Sequence, residues 1–194
     1  LTHDDESLYF YQRDTKALSG RYPRANYIHP LYGLGGEVLT EDFPEDHLHH
    51  RGIFWAWHQF YVRNEKVGDP WECRGIEWKV EKMDTHVFAD SAKLSLTVYW
   101  KGELPGNAPE EPVRLIREET DIVYHYRSPE LRVMDFRISL TALHEGTAIG
   151  GSEDEKGYSG FSVRCKLPDD LQFYSQAGQV EPQVTAIDAG GWID

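Results

Sequence analysis

Cysteine is nearly missing from this sequence. Cys73 and Cys165 are the only two, far apart, which excludes a disulfide framework and a Cys-x-x-Cys metal knuckle. Positive charge is scarce as well: 20 Lys and Arg stand against 33 Asp and Glu, for a net charge of −13. A chain this acidic repels phosphate backbones and anionic lipid, so nucleic acid is not an expected partner. No run of about 18 apolar residues occurs, so no membrane-spanning helix is expected. No signal-peptide pattern is visible either. The chain opens on Leu1 rather than Met, as expected of a trimmed, processed or partial chain. The compartment therefore stays open between the cytoplasm and the periplasm or exterior after processing. Two further absences bear on class. There is no convincing 3.6-residue apolar period, and no Gly-x-Ser-x-Gly elbow that would signal a covalent hydrolase.

What the sequence has is alternation. Hydrophobic residues make up 40% and aromatics 13%, with 6 Trp and 11 Tyr, a surplus that suits strand surfaces or sugar-stacking sites. "LSLTVYW" sets Leu94, Leu96, Val98 and Trp100 against Ser95, Thr97 and Tyr99. "IEWKVEKM" does the same with Ile76, Trp78 and Val80. "LRVMDFRISLTAL" lines up Met134, Phe136, Ile138 and Leu140, and "FSVRCKL" lines up Phe161, Val163, Cys165 and Leu167. "VRLIREETDIVYHYR" continues the theme, and Ser128-Pro129-Glu130 reads as a hairpin turn. Such period-2 runs predict half-buried strands. Many short strands with Gly/Pro turns predict an all-β fold, an antiparallel β-sandwich, here as a single domain over residues 1–194.

Three stretches break the alternation: 27–50, 68–75 and 145–160. In "EDHLHHRGIFWAWHQF", residues 45–60, an acidic loop leads into His47, His49, His50 and Arg51. An unbroken strand from Ile53 through Tyr61 would put His50 and His58 on one face with Phe54 and Ala56. Arg51 would then share the other face with Trp55 and Trp57. His47 and His49, at i and i+2 on extended chain, can bind one metal, and His50 could add to the set. The carboxylate that would complete a cupin-type site does not follow; Ile53, Phe54 and Trp55 do. A divalent metal ion is thus one reading, histidines bonded to loop carbonyls a second, and an acid/base site for sugar hydroxyls a third. Neutral histidine both donates and accepts, arginine forks onto oxygens, and Trp faces stack on pyranose C–H groups. His29 precedes Pro30 and is expected to be extended. It reads either as a satisfied strand-end histidine or as a site residue. "GDPWECRG" offers Trp71 and Glu72, as a site wall or as a turn on a buried Trp. "GGSEDEKGYSG" offers Glu153, Asp154 and Lys156 in a Gly-rich loop, as base, hydroxyl acceptors or plain solvated charge.

A resemblance rests on these same stretches. "NYIHPLYGLGGEVLTEDFPEDHLHHRGIFWAWHQ", "VGDPWEC", "REET", "DFRISLTAL" and "GGSEDEKGYSGFSVR", in this order, resemble a bacterial family catalogued as methane oxygenase PmoA. That name implies a copper membrane oxygenase, whereas this chain has no membrane span. The family is similar to the galactose-mutarotase-like β-supersandwich, in which an early His-Gly loop and later His and Glu residues line a sugar cleft. The resemblance implies that His50-Arg51-Gly52 is the counterpart of the early loop. Such folds are usually longer, and this chain stops at "GGWID". A fold incomplete at its C-terminal end, with a catalytic base lying beyond it, is therefore expected.

The favoured reading is acid/base chemistry on a sugar, of the mutarotase, epimerase or glycan-processing kind, with a small-molecule or oligosaccharide ligand. His50 or His29 would donate the proton. Glu153 or Asp154 would act as base or hydroxyl acceptor. Arg51 would orient an oxygen, and Trp55, Trp57 or Trp71 would stack. His47, His49, Glu72 and Lys156 would bind substrate. The alternatives are a metal-dependent oxygenase or hydrolase using His47, His49 and His50, and a non-catalytic carbohydrate-binding module.

Overall fold

Alternating runs adjacent in sequence pair with one another through short turns, and the structure follows that rule. The computed structural model describes residues 1–3, 6–106, 111–181, 183 and 190–191. Most of the "GGWID" end lies outside them. The strands Glu77–Val87, Ser91–Gly102, Val113–Ser128 and Leu131–Ala142 form an antiparallel meander in chain order. The Ser128–Leu131 turn closes its last hairpin as expected. Cross-strand partners on its inner face are apolar: Trp78 opposes Trp100, Val80 opposes Val98, and Leu94 opposes Ile122. Such pairs are the unit of sheet stability.

A second four-stranded sheet runs in the order Ser159–Val163, Ile53–Trp57, Tyr27–Leu31, Tyr9–Gln12. Its Tyr9, Tyr11, Ile28, Ile53 and Trp55 join Trp78, Val98, Trp100, Ile116 and Ile122 of the meander in one buried cluster. Two sheets face to face across a shared apolar layer make the expected antiparallel sandwich. No helix occurs among the described residues, and none there is long and apolar enough to cross a membrane.

Two details depart from the simple pattern. The strand expected from Ile53 through Tyr61 breaks at His58. Ile53–Trp57 belongs to the second sheet, whereas Gln59–Val62 pairs in a three-stranded sheet with Ala148–Gly150 and Glu65–Gly68. The regular strand in "FSVRCKL" ends at Val163, with an isolated bridge from Cys165 to Thr40 beyond it, and Phe161, Val163 and Leu167 are exposed rather than half-buried. Among the described residues, Ser159–Val163 is an edge strand with a paired neighbour on one side only.

A carboxyl group sits in the core between the two sheets. Glu118 is fully buried. Its carboxylate accepts Asn26 Nδ2–H at 2.9 and 3.0 Å, Trp100 Nε1–H at 2.7 Å and the Thr120 hydroxyl at 2.7 Å. Tyr11 in turn donates to Asn26 Oδ1 at 2.7 Å. The network spans both sheets and satisfies every member named. Desolvation raises the Glu118 pKa above its ordinary value, against the opposing pull of these donors. A carboxyl raised in the fold stabilises fully below its unfolded pKa, and that contribution is lost as pH rises through the folded value. Relative to Glu118→Gln, the native chain should therefore gain stability as the medium is acidified through that raised value. Glu118→Ala strands three buried donors and should lower the unfolding free energy by about 3 kcal/mol in urea titration.

Candidate functional site

Alternation along Ile53–Trp57 sends Ile53 and Trp55 into the sandwich and Phe54 and Ala56 to the opposite face. There they pack with Tyr27 and Trp71 in a second buried cluster. The loops 41–52 and 69–75 fold over this outer face. Irregular loops need partners for their carbonyls, and two buried arginines supply them. Arg51 donates to Leu48 O at 2.9 Å, to His50 O at 3.3 Å and to Tyr22 O. Its Nε lies 3.5 Å from Asp42 Oδ1, and its guanidinium sits 3.3 Å from the Phe43 ring centre. Asp42 also takes Lys16 Nζ at 2.6 Å and the Tyr27 hydroxyl at 3.3 Å. Arg24 donates to Pro70 O at 2.6 Å and Trp71 O at 3.1 Å, and its guanidinium lies over Phe54 and Trp78.

Fixed in this way, the loops assemble a cluster of rings. His47 stacks on His50 with centres 4.8 Å apart, and His49 meets His50 edge-on at 4.6 Å. Trp71 Nε1–H donates to His49 Nε2 at 3.1 Å, so the His49 proton resides on Nδ1, 3.5 Å from Glu72 Oε1. His58 lies nearly parallel to Trp71 at 5.4 Å, and its Nδ1 bonds Asp69 Oδ2 at 3.1 Å. Asp69 is itself held by the Glu72 backbone N–H on Oδ1 at 3.0 Å. His47 makes a similar pair with Asp46, at 2.9 Å. Tyr158 lies parallel to Trp71 at 5.8 Å and is 44% exposed.

Two of these imidazoles, His49 and His50, are held below the ordinary histidine value. Burial, reinforced by His49 and His47, pulls His50 down to about 3. Burial also lowers His49, against the opposing pull of Glu72. The whole chain, residues 1–194, matches a sequence family described as "Family of unknown function (DUF6807)". The chain belongs to this family. No curated protein and no solved structure matches it significantly.

In this DUF6807 member, several residues singled out from sequence are placed differently. Arg51 is fully buried and spends its donors on loop carbonyls, so it cannot orient a ligand oxygen. It does not share a face with Trp55 because Gly52 breaks the extended chain. Gly52 has φ +35°, and a Cβ there would collide with the Ile28 carbonyl. Trp55 is 2% exposed in the core, and Trp57 packs its ring 5.8 Å from Trp100, so neither is a ligand platform. Trp71 is buried too, as a support beneath His58 and Tyr158 rather than a free stacking plane. Glu72 does face the cluster. His29 bonds Thr40 Oγ1 at 3.0 Å, and burial lowers its pKa. No contact joins it to His47, His49 or His50.

Glu153, Asp154 and Lys156 are exposed on one turn. Asp154 accepts the Ser152 hydroxyl at 2.6 Å and the Lys156 N–H at 3.1 Å, and Lys156 Nζ lies over Tyr158 at 5.6 Å. This turn therefore reaches the cluster through Tyr158 and brings no carboxylate to the histidines. Among the described residues no three His, Cys, Asp or Glu side chains are arranged to hold a metal ion. The rings of His47, His49 and His50 turn faces and edges to one another rather than nitrogens to a common point. His58, Asp69 and Tyr158 were missed as a group. The usable signal was that Asp69 and Trp71 share one short loop.

Lowered histidines make acid destabilising. Above the ordinary value near 6.5 both states are neutral; below it the unfolded chain takes protons that folded His50, His49 and His29 refuse. Stability should fall as pH drops from about 6.5 toward the folded values. Nitrogen-15 NMR should show His50 neutral until pH approaches about 3. Titration of His50 near its ordinary value would overturn the buried-ring account.

Proposed function

We propose that this outer face is an acid/base site for a polyhydroxylated, carbohydrate-like ligand, of the anomer-interconverting, epimerising or glycan-processing kind. The observation that carries the reading is the His58–Asp69 pair beside an exposed ring. A carboxylate on Nδ1 fixes the tautomer and makes Nε2 the basic nitrogen, and His58 Nε2 has no partner among the described residues. His47–Asp46 repeats the device on the same loop cluster, with Arg164 Nη2 holding Asp46 Oδ1 at 2.8 Å. Two such imidazoles are what moving a proton off one oxygen and onto another requires.

The remaining groups divide the other tasks. A ring that stays neutral to about 3 is a poor proton reservoir, so His50 serves as a hydroxyl donor and acceptor, and the proton-donor role passes to His47 or His58. Tyr158, rather than Trp71 or Trp55, presents an apolar ring face to the C–H side of a sugar. His49 is held between Trp71 and Glu72 and positions the others. The likeness to galactose-mutarotase-like folds read from the sequence points to the same ligand class by analogy of fold. The metal-dependent alternative draws no support from the ring geometry.

The test is a panel of reducing sugars observed by ligand-detected NMR, with anomer exchange followed in the same spectra. A bound sugar should shift the His58 and Tyr158 resonances. His58→Ala should cut turnover by about 100- to 10,000-fold while leaving binding largely intact. Tyr158→Ala should weaken binding instead. Binding without turnover in the native chain would replace the enzyme reading with a sugar-binding module. No perturbation by any sugar would end both.

A further inference from the structure

One hairpin fastens both loops of the outer face. Its strands are Lys16–Leu18 and Arg21–Arg24. Lys16 Nζ reaches Asp42 in the first loop, and Arg24 donates to the carbonyls of Pro70 and Trp71 in the second. Between these two anchors the Tyr22 carbonyl accepts from the buried Arg51. Tyr22 has φ +52°, a left-handed conformation that ordinarily goes to Gly, Asn or Asp and is unfavourable for a bulky side chain. The proline that follows favours extended backbone instead. Such strain persists only where the surroundings over-determine it, and it concentrates at ligand-binding places. Here the Arg51 clamp holds the backbone, and the ring stands beside His49 with centres 6.5 Å apart.

The rings then form a row. Tyr22 meets His49, His49 meets Trp71 at 6.4 Å, and Trp71 meets Tyr158 at 5.8 Å. Among the described residues Tyr22 contacts no ring but His49, and Tyr158 none but Trp71. Two tyrosines thus stand at the ends, with His49, His50 and Trp71 between them. Both ends repeat one arrangement: an exposed cation lies over the ring, Arg21 at 5.9 Å from Tyr22 and Lys156 at 5.6 Å from Tyr158. These long solvated side chains can swing aside for a ligand and bond its hydroxyls. We infer that Tyr22 is a second sugar-stacking residue, and that the ligand of this face is an oligosaccharide of at least two linked units, one on Tyr158 and one on Tyr22. One pyranose fills one aromatic face, and the two tyrosines do not touch, so a single unit on Tyr158 leaves Tyr22 unused. The linkage between the units then falls over the imidazoles. This rests on the sugar-site reading above and narrows it from any reducing sugar to a glycan.

Calorimetric titration with paired probes tests this: xylose against xylobiose, glucose against cellobiose and maltose, mannose against mannobiose. For the sugar that binds, the disaccharide should bind about tenfold more tightly than its monosaccharide. Tyr22→Asn tolerates the left-handed backbone and removes the ring. It should bring the disaccharide down to the monosaccharide's affinity and leave the monosaccharide unchanged, with circular dichroism confirming the fold. Tyr22→Phe keeps the ring and should retain the gain; its loss there overturns stacking as the cause. Tyr158→Ala should weaken both probes. A monosaccharide bound as tightly as its disaccharide overturns the second platform and leaves the acid/base reading standing. So does a folded Tyr22→Asn chain that binds both probes as the native chain does, or that loses both equally. No binding by any probe overturns the proposal together with that reading.

Discussion

Two guanidinium groups buried away from water hold the outer face together. The loops 41–52 and 69–75 have little regular pairing of their own, and their carbonyls would otherwise point into a desolvated space. Arg51 and Arg24 each take two or more of these carbonyls while lying against aromatic faces that accept a cation. The arrangement costs desolvation, and part of that cost is still visible. Arg24 Nε, Arg51 Nε and Asp42 Oδ1 lack hydrogen bonds. Carbonyl bonds, ring faces and the nearby Asp42 offset it for Arg51; carbonyls and rings alone do so for Arg24. Remove either cation and a whole loop loses its template, which is why the histidine geometry depends on residues that never touch a ligand.

Net charge alone would favour protonated histidines. The chain carries −13, and an acidic surface raises imidazole pKa values in general. At this face His49 and His50 move the opposite way, because burial is the largest influence on both and outweighs the nearby carboxylates Glu72 and Asp46. His49 shows the contest most directly: Glu72 sits 3.5 Å away and still does not reverse the shift. The product is a pair of rings, His49 and His50, held below the ordinary histidine value on an otherwise anionic molecule.

Much of the fold could be read from the alternation, and less of the site. The four runs of the meander all became strands of the sandwich, because inward pairs such as Trp78 and Trp100 need only period 2 to meet. The three stretches that broke the alternation supplied His47, His49, His50, Asp69, Trp71 and Tyr158, whereas His58 lay inside a run read as unbroken strand. Individual roles failed where one backbone event rotated the register. A single left-handed Gly52 moved Arg51 off the Trp55 face, and the bend at His58 released that ring from the strand to find Asp69. Of the two readings of Trp71, the turn on a buried Trp is the one the structure shows, and Tyr158 is the exposed ring, because burial of an aromatic depends on which loop closes over it and spacing in a loop does not encode closure. Glu118 lay unnoticed inside "REET" since a carboxylate at an inward position looks like a surface residue until its donors, Asn26 and Trp100, arrive from elsewhere in the chain.

The outer face and the inner one are less separate than their opposite positions imply. Tyr158 immediately precedes the edge strand Ser159–Val163, and Ser159 pairs with Trp57, the residue before His58. The same short strand therefore sets the Tyr158 ring over Trp71 on the outer face and Phe161 against Trp55 and Phe136 on the inner one. An edge strand held by one neighbour is among the less stable parts of a sheet. Covering Phe161 would order that strand, and with it the exposed ring best placed to contact a ligand. Coupling of this kind needs no moving wire between the two faces. It follows from one strand contributing to two surfaces, and it ties the geometry of the candidate site to whatever completes the sandwich.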